Sequence, residues 1–280
     1  MKVVKTIKEL RQQLPEEESK NKTVGFVPTM GALHRGHLSL VQRCSRECGV
    51  TVVSIFVNPT QFNDKADLAR YPRTLEADVK LLQATGCDVV FAPDEKEIYP
   101  QPDTRLFDFG LLEKVMEGER RNGHFNGVAQ VVSRLFDAVK PSCAYFGEKD
   151  FQQIAIVSEM IRQLGLPVEI VRCPIVREPD GLAMSSRNAL LTPDQRAAAP
   201  LIAKTLFAAV DKVCSADLPA LKQFVADAIS ASEQLRLDYF EVVCARTLQP
   251  VASLDDDCAK QACIAVYAGE VRLIDNVRLA

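Results

Sequence analysis

The sequence predicts an α/β protein, a doubly wound parallel sheet followed by a smaller C-terminal α+β domain. Three observations carry that prediction. Apolar runs without polar alternation, such as Val50–Val57, recur in the first two-thirds of the chain, and such strands belong in parallel sheets covered on both faces. Helix-period segments separate these runs, the rhythm of right-handed βαβ crossovers. After Asn188 the order changes to helical runs followed by strand-like runs.

The elements follow in order. Val24–Val27 reads as a buried strand, His37–Glu47 as an amphipathic helix and Val50–Val57 as a second strand. Leu75–Ala84 is a helix ended by Gly86, and Val89–Ala92 a strand closed by Pro93. Val128–Val139 is a helix stopped before Pro141, and Ala144–Phe146 a strand. Phe151–Leu164 is a helix ended by Gly165, and Val168–Val176 a strand. In the C-terminal part, Pro193–Cys214 and Leu218–Gln234 read as helices; Asp238–Ala245, Ala262–Ala268 and Val271–Leu279 read as strands. The expected domains are residues 1–177 and 178–280. Glu16 to Glu18 read as a solvated helix face.

Composition narrows the function class. Of 280 residues, 47% are hydrophobic and 25% charged, ordinary for a globular enzyme. A net charge of −3 argues against a dedicated nucleic-acid surface. No apolar run approaches the ~18 residues of a membrane span. Met1 to Lys5 lack a signal-peptide core, so a cytoplasmic protein is expected. Nine cysteines scatter through apolar runs, as at Cys87, Cys143 and Cys244, and read as small core hydrophobes in a reducing compartment. The close pairs Cys44/Cys48 and Cys258/Cys263 lack Cys-x-x-Cys spacing.

The chemistry concentrates in loops that follow strands, where open α/β sheets bind ligands. Only three histidines occur, and two of them, His34 and His37, stand at i, i+3 beside Gly31 and Gly36 where a strand turns into a helix. Free N–H groups and the helix dipole favour an anion there, and imidazoles can stabilise phosphate charge. Zinc is disfavoured, because no cysteine or carboxylate stands nearby at ligand spacing. Asn58 to Phe62 follow the second strand, and the Gln61 amide can fix a hydroxyl or carboxylate. In Gly147-Glu148-Lys149-Asp150, Lys149 offers a compact charge to a polyphosphate and Asp150 an N-cap. Arg177 to Gly181 read as a turn, and Met184 to Asn188 offer hydroxyls, amides and a guanidinium suited to phosphate. Gly118 to Phe125, with His124 and two arginines, read as a surface loop, a mobile flap or a clamp for an anionic substrate. Neither a P-loop nor a Gly-x-Gly-x-x-Gly fingerprint is present.

Together these residues resemble a known family. Pro28 to His37 are similar to the HIGH-type motif of nucleotidyltransferases. With Ser54 to Phe62, Tyr71 to Thr74, Phe146 to Gln153 and Asp180 to Asn188, the pattern resembles the pantoate–β-alanine ligases. The match runs from about residue 24 to 196; beyond it the likeness rests on size. The resemblance implies a Rossmann-like fold, a cytoplasmic homodimer and two chemical steps. Pantoate's carboxylate attacks the α-phosphorus of Mg2+-bound ATP, and β-alanine's amine then attacks the resulting pantoyl adenylate.

It also implies residue roles. His34, His37 and Lys149 are catalytic. Met30, Gly31, Ala32, Leu33, His34, Arg35, Gly36 and His37 line the ATP site, with Gly147, Glu148, Lys149, Asp150, Val176, Met184, Ser185, Ser186 and Arg187. Gln61 and Gln153 bind pantoate, with Gln61 also near β-alanine. Magnesium rides mainly on ATP, with Asp78 nearby. One departure stands at Gln130, where the family pattern more often has threonine. The competing readings are a nucleotidyltransferase for another small molecule and a non-catalytic nucleotide sensor.

Overall fold

The computed structural model describes residues 1–14, 23–62 and 65–279, with the Lys65 side chain left out. Glu16 to Glu18 lie outside the described residues. Six strands form one parallel sheet: β1 (Lys2–Val4), β2 (Val24–Thr29), β3 (Val50–Ile55), β4 (Val89–Phe91), β5 (Cys143–Gly147) and β6 (Glu169–Cys173), in the order β1-β4-β3-β2-β5-β6. Three more form an antiparallel sheet: β7 (Leu235–Cys244), β8 (Lys260–Ala268) and β9 (Val271–Leu279). This is the predicted fold class. β1 was not foreseen, since three residues carry no periodicity.

From β2 the chain builds outward to β3 and β4, then returns to place β5 on the other side of β2. The order therefore reverses between β2 and β5, and in parallel sheets a crevice opens at the carboxyl ends there. The loop after β2 carries His34 and His37; the end of β5 carries Gly147. Phe26, Val27, Val52, Val53, Val90 and Phe91 are fully buried, which explains the unbroken apolar runs.

Helix 35–47 lies close on β2. A Cβ at Gly25 would collide with the sulfurs of Cys44 and Cys48, so glycine and small thiols set this approach. Gln130, the departure from the family pattern, is buried and donates to the carbonyls of Asp103 (3.0 Å) and Arg105 (2.8 Å). It thus pins the 103–105 segment to helix His124–Val139. Asp103 is gripped by Arg105 (2.6 Å) and Arg134 (2.7 Å), which hold its carboxyl well below the usual range.

The chain divides into two units: Met1–Phe109, Arg121–Glu148 and Gln153–Pro174 in the first; Gly110–Arg120, Lys149–Gln152 and Ile175–Ala280 in the second. The sequence reading assigned both short segments to the first domain. In the second unit, helices Leu201–Lys212 and Leu218–Ser230 pack Ile202, Leu206, Leu221, Val225 and Ile229 against Val242, Ile264 and Val266. The expected single helix over 193–214 is two, Pro193–Ala198 and Leu201–Lys212. Pro200 lacks the N–H that would bond back to residue 196, so the first helix ends before it.

Candidate active site

In the first unit, the loop from Met30 to His34 has an unusual backbone. Gly31 and Ala32 have φ of +80° and +49°. Left-handed backbone costs an alanine free energy, so something must hold it. Asp78 does. Its carboxylate is 1% exposed and accepts the amides of Ala32 (3.0 Å) and Leu33 (2.7 Å) and the Thr74 hydroxyl (3.3 Å). A Cβ on Gly31 would lie 3.1 Å from the same carboxylate and 3.0 Å from Ile55. Thr29 adds a second anchor, donating to Ser54 (2.7 Å) and accepting from the Gly31 amide (3.2 Å). Both Asp78 oxygens are thus engaged, by the two loop amides and by the Thr74 hydroxyl. Asp78→Ala strands two amides, and each such loss costs about 1–3 kcal/mol. A lower denaturant midpoint with depressed turnover is expected; an unchanged turnover would separate Asp78 from the site.

The two histidines then cap the helix Arg35–Glu47. His34 Nδ1 accepts the Gly36 amide (3.1 Å), and His37 Nδ1 accepts the His34 amide (3.3 Å). An acceptor nitrogen carries no proton, so both rings are neutral with the hydrogen on Nε2. The rings lie 4.0 Å apart, tilted by 37°. The turn after β2 therefore presents two Nε2–H donors at a helix N-terminus, an arrangement suited to phosphate oxygens.

Gln61 stands in the short helix Pro59–Gln61 beyond β3 and is buried. Asn58 donates to its Oε1 (3.3 Å), so its amide nitrogen is the other end, which reaches Met30 Sδ (3.0 Å). The Asn58 amide also bonds the Gly127 carbonyl (3.1 Å), and Tyr99 donates to Asn58 Oδ1 (2.9 Å). His124, left open by the sequence, starts helix His124–Val139 and is buried. Its Nδ1 donates to the Gln61 carbonyl (2.7 Å), and Arg121 donates to its Nε2 (3.1 Å). This neutral ring fixes the Gln61 backbone. The helix lies hard against the same turn: a Cβ on Gly127 would be 2.5 Å from the Thr60 carbonyl oxygen. Gln153, also expected to bind substrate, is half-buried in the first turns of helix Phe151–Leu164.

In the second unit, Lys149 is half-buried with its ammonium 3.5 Å from Asp150. Asn276 of β9 donates to the Lys149 carbonyl (3.0 Å) and accepts from Gln261 (2.7 Å). The C-terminal sheet thus fixes the backbone of this lysine. Arg177 forks onto Asp275 (2.6 and 2.9 Å) and stacks over Phe207 at 4.9 Å. Burial still raises the Asp275 carboxyl above its usual range. The Arg177–Gly181 segment is the expected turn, closed by Glu178 donating to Leu182 (2.8 Å) with Gly181 at φ +94°. Beyond it the Met184 amide bonds Val176 (3.0 Å), and Ser185 Oγ accepts from the Arg187 amide (3.3 Å), so Ser185 caps the turn Ser186–Leu190. Gln152 is buried, donating to Leu112 (2.7 Å) and Val115 (2.9 Å) and accepting from the Glu117 amide (2.9 Å).

Asp78, Asn58, His124, Asn276 and Gln152 were missed as positioning groups. Asn58 carried the clearest signal, being a polar residue in an Asn-Pro pair at a strand end. The others act on partners far along the chain.

The family model described as pantoate-β-alanine ligase matches residues 2–278. Pantothenate synthetase of Bacteroides thetaiotaomicron is 56% identical, covering 99% of each chain, and that of Porphyromonas gingivalis 51%, also over 99% of each. Among solved structures, pantothenate synthetase from Thermus thermophilus superposes with a TM-score of 0.92 at 46% identity over 99% of both chains. Pantoate-β-alanine ligase from Francisella tularensis, complexed with β,γ-ATP and β-alanine, gives 0.83 at 35% identity over 99% of this chain and 97% of that one. The chain belongs to the pantoate-β-alanine ligase family.

Proposed function

We propose that the protein condenses pantoate with β-alanine at the expense of ATP, giving pantothenate, AMP and pyrophosphate through a pantoyl adenylate. The observation that carries the reading is the capped histidine pair, two Nε2–H donors held at one helix N-terminus after β2. A carboxylate is a poor acyl donor until one of its oxygens can leave as part of AMP. The first step needs charge stabilisation on the phosphates as pyrophosphate departs. His34 and His37 supply hydrogen bonds whose tautomers are set before the substrate arrives.

In the first unit, Met30 to His37, Gly147 and Glu148 line the nucleotide. Lys149, Asp150, Val176 and Met184 to Arg187 are the ATP contacts expected of the second unit, with Lys149 giving charge to the phosphates. Gln61 and Gln153 orient pantoate, and Gln61 also borders the amine that attacks in the second step. The magnesium enters with ATP, held by its phosphates. Among the described residues no three His, Cys, Asp or Glu side chains gather to hold a metal. The proposal extends to a cytoplasmic homodimer; no helix among the described residues is long and apolar enough to cross a membrane.

Omission assays test the reading. With ATP, pantoate and β-alanine together, equimolar AMP and pantothenate are expected. Without β-alanine, pyrophosphate release should stop near one equivalent. AMP formation indifferent to pantoate would overturn it in favour of another nucleotidyl acceptor, and no ATP turnover would point to a sensor.

A further inference from the structure

Asp275 and Asn276 are adjacent in β9, where successive side chains point to opposite faces of the sheet. Asp275 shares its face with Leu273, Val277 and Leu279, all part of or packed on the apolar cluster of the second unit. Asn276 faces the other way. Both are nevertheless buried, at 4% and 3% exposure, so each has its own cover. An acid in an apolar stripe costs free energy unless paired, and a well-packed apolar replacement for such a pair is often at least as stable. Stability alone does not call for an acid here, and its partners give it another task.

On the Asp275 side, both carboxylate oxygens take the Arg177 fork at 2.6 and 2.9 Å. Arg177 opens a small hairpin: it bridges Ala183 in antiparallel fashion, and the Met184 amide returns to the Val176 carbonyl (3.0 Å). The same guanidinium donates to the Gly181 carbonyl at the hairpin's tip (3.1 Å). Asn188 closes the far end, its Nδ2 donating to the Ala183 carbonyl (3.1 Å) and its amide to the Ser185 carbonyl (3.0 Å). Asp275 thus seats the hairpin from which Met184 to Arg187 leave. On the other face, Gln261 donates to Asn276 Oδ1 (2.7 Å), which turns Nδ2 onto the Lys149 carbonyl (3.0 Å). The Asn276 backbone amide also donates to Asp275 Oδ1 (2.8 Å), tying the two side chains into one unit.

We propose that Asp275 and Asn276 are positioning residues for nucleotidyl transfer, one dipeptide that sets the Lys149 loop and the Met184–Arg187 segment relative to one another, a role that rests on the ATP contacts proposed above. Neither side chain touches the nucleotide. Asn276 acts through the backbone of Lys149, and Asp275 acts through Arg177 on the loop that carries Arg187. Two cations from distant parts of the sequence must meet one polyphosphate in a fixed geometry, and a rigid strand between their loops supplies it. This accounts for a buried acid and a buried amide side by side in an otherwise apolar strand.

The test reads the two steps separately in the full-length protein: pyrophosphate release from ATP and pantoate, and pantothenate formation from supplied pantoyl adenylate and β-alanine. Asn276→Ala and Asp275→Asn should each slow the first step by up to about 10²-fold, the scale for misplacing a reacting group by about 1 Å. The KM for pantoate and the second step should change far less, since no pyrophosphate departs there. Asn276→Ala should cost little more in a Lys149→Ala background, and Asp275→Asn little more in an Arg187→Ala background, because each acts through that partner. Thermal unfolding checks the fold; Asn276→Ala leaves the Arg177–Asp275 pair intact and decides the matter if Asp275→Asn does not fold. Equal slowing of both steps, or losses that add in the paired backgrounds, would overturn the proposal. Pyrophosphate release by the unmodified protein tests the ATP reading by itself: without it both fall, and with it additive losses overturn the positioning role alone.

Discussion

His37→Ala is expected to lower kcat/KM for adenylate formation by about 10²–10³-fold, the usual loss when one preorganised donor to developing charge is removed. The fold should survive, since the ring is only half-buried on the first turn of a helix whose apolar face includes Leu40, Val41 and Cys44. His37 has two separable tasks. Its Nδ1 accepts the His34 amide and so holds the loop. Its Nε2–H is the donor assigned to phosphate. Asparagine places an oxygen near the Nδ1 position but offers no donor at the Nε2 position. Steady-state kinetics of His37→Asn and His37→Gln, with circular dichroism as a fold check, separate the tasks. The account expects His37→Asn to remain as impaired as alanine and His37→Gln to recover part of the loss. Full recovery by asparagine would make His37 a loop anchor alone.

Arg272→Ala is expected to destabilise the second unit by about 3–5 kcal/mol, the scale for stranding a buried partner charge. Arg272 forks onto Glu117 (2.6 and 2.9 Å) and also reaches Asp238 (2.8 Å). Tyr239 donates to the same Glu117 oxygen that accepts from Arg272 Nη2, at 2.9 Å, and burial raises the Tyr239 hydroxyl well above its usual range. These bonds hold helix Met116–Arg120 to the C-terminal sheet. Denaturant unfolding reads the loss. Replacing the pair together, Glu117→Gln with Arg272→Met, removes one of the two stranded carboxylates, leaving Asp238, and should cost less than Arg272→Ala. Equal losses would mean that packing, not charge, dominates.

The strands and long helices were legible because burial writes itself into local periodicity. Phe151–Leu164 and Val271–Leu279 match their predicted bounds, and β2 and β3 were misjudged by only two residues at one end. The histidine pair was legible because its spacing and its glycines are local. What stayed hidden depends on long-range pairing. Nothing around Asp78 says that its carboxylate will serve the amides of Ala32 and Leu33; it reads as an acid in a helix's first turn. His124 looked like loop chemistry because Gly118 and Gly123 flank its segment, yet it is a buried helix start bonded to Gln61. The capping serine of the Met184–Arg187 segment and the Asn276 anchor of Lys149 are tertiary facts as well.

The fate of pantoate's carboxylate oxygen tests the central claim most directly. Pantoate labelled with ¹⁸O in both carboxylate oxygens is turned over with ATP and β-alanine, and the products are weighed by mass spectrometry. If the carboxylate attacks the α-phosphorus, the P–O bond formed in the first step persists when the amine breaks the C–O bond in the second. AMP then carries one ¹⁸O and pantothenate retains the other in its amide carbonyl. Unlabelled AMP, or label appearing in inorganic phosphate beside ADP, would contradict the account.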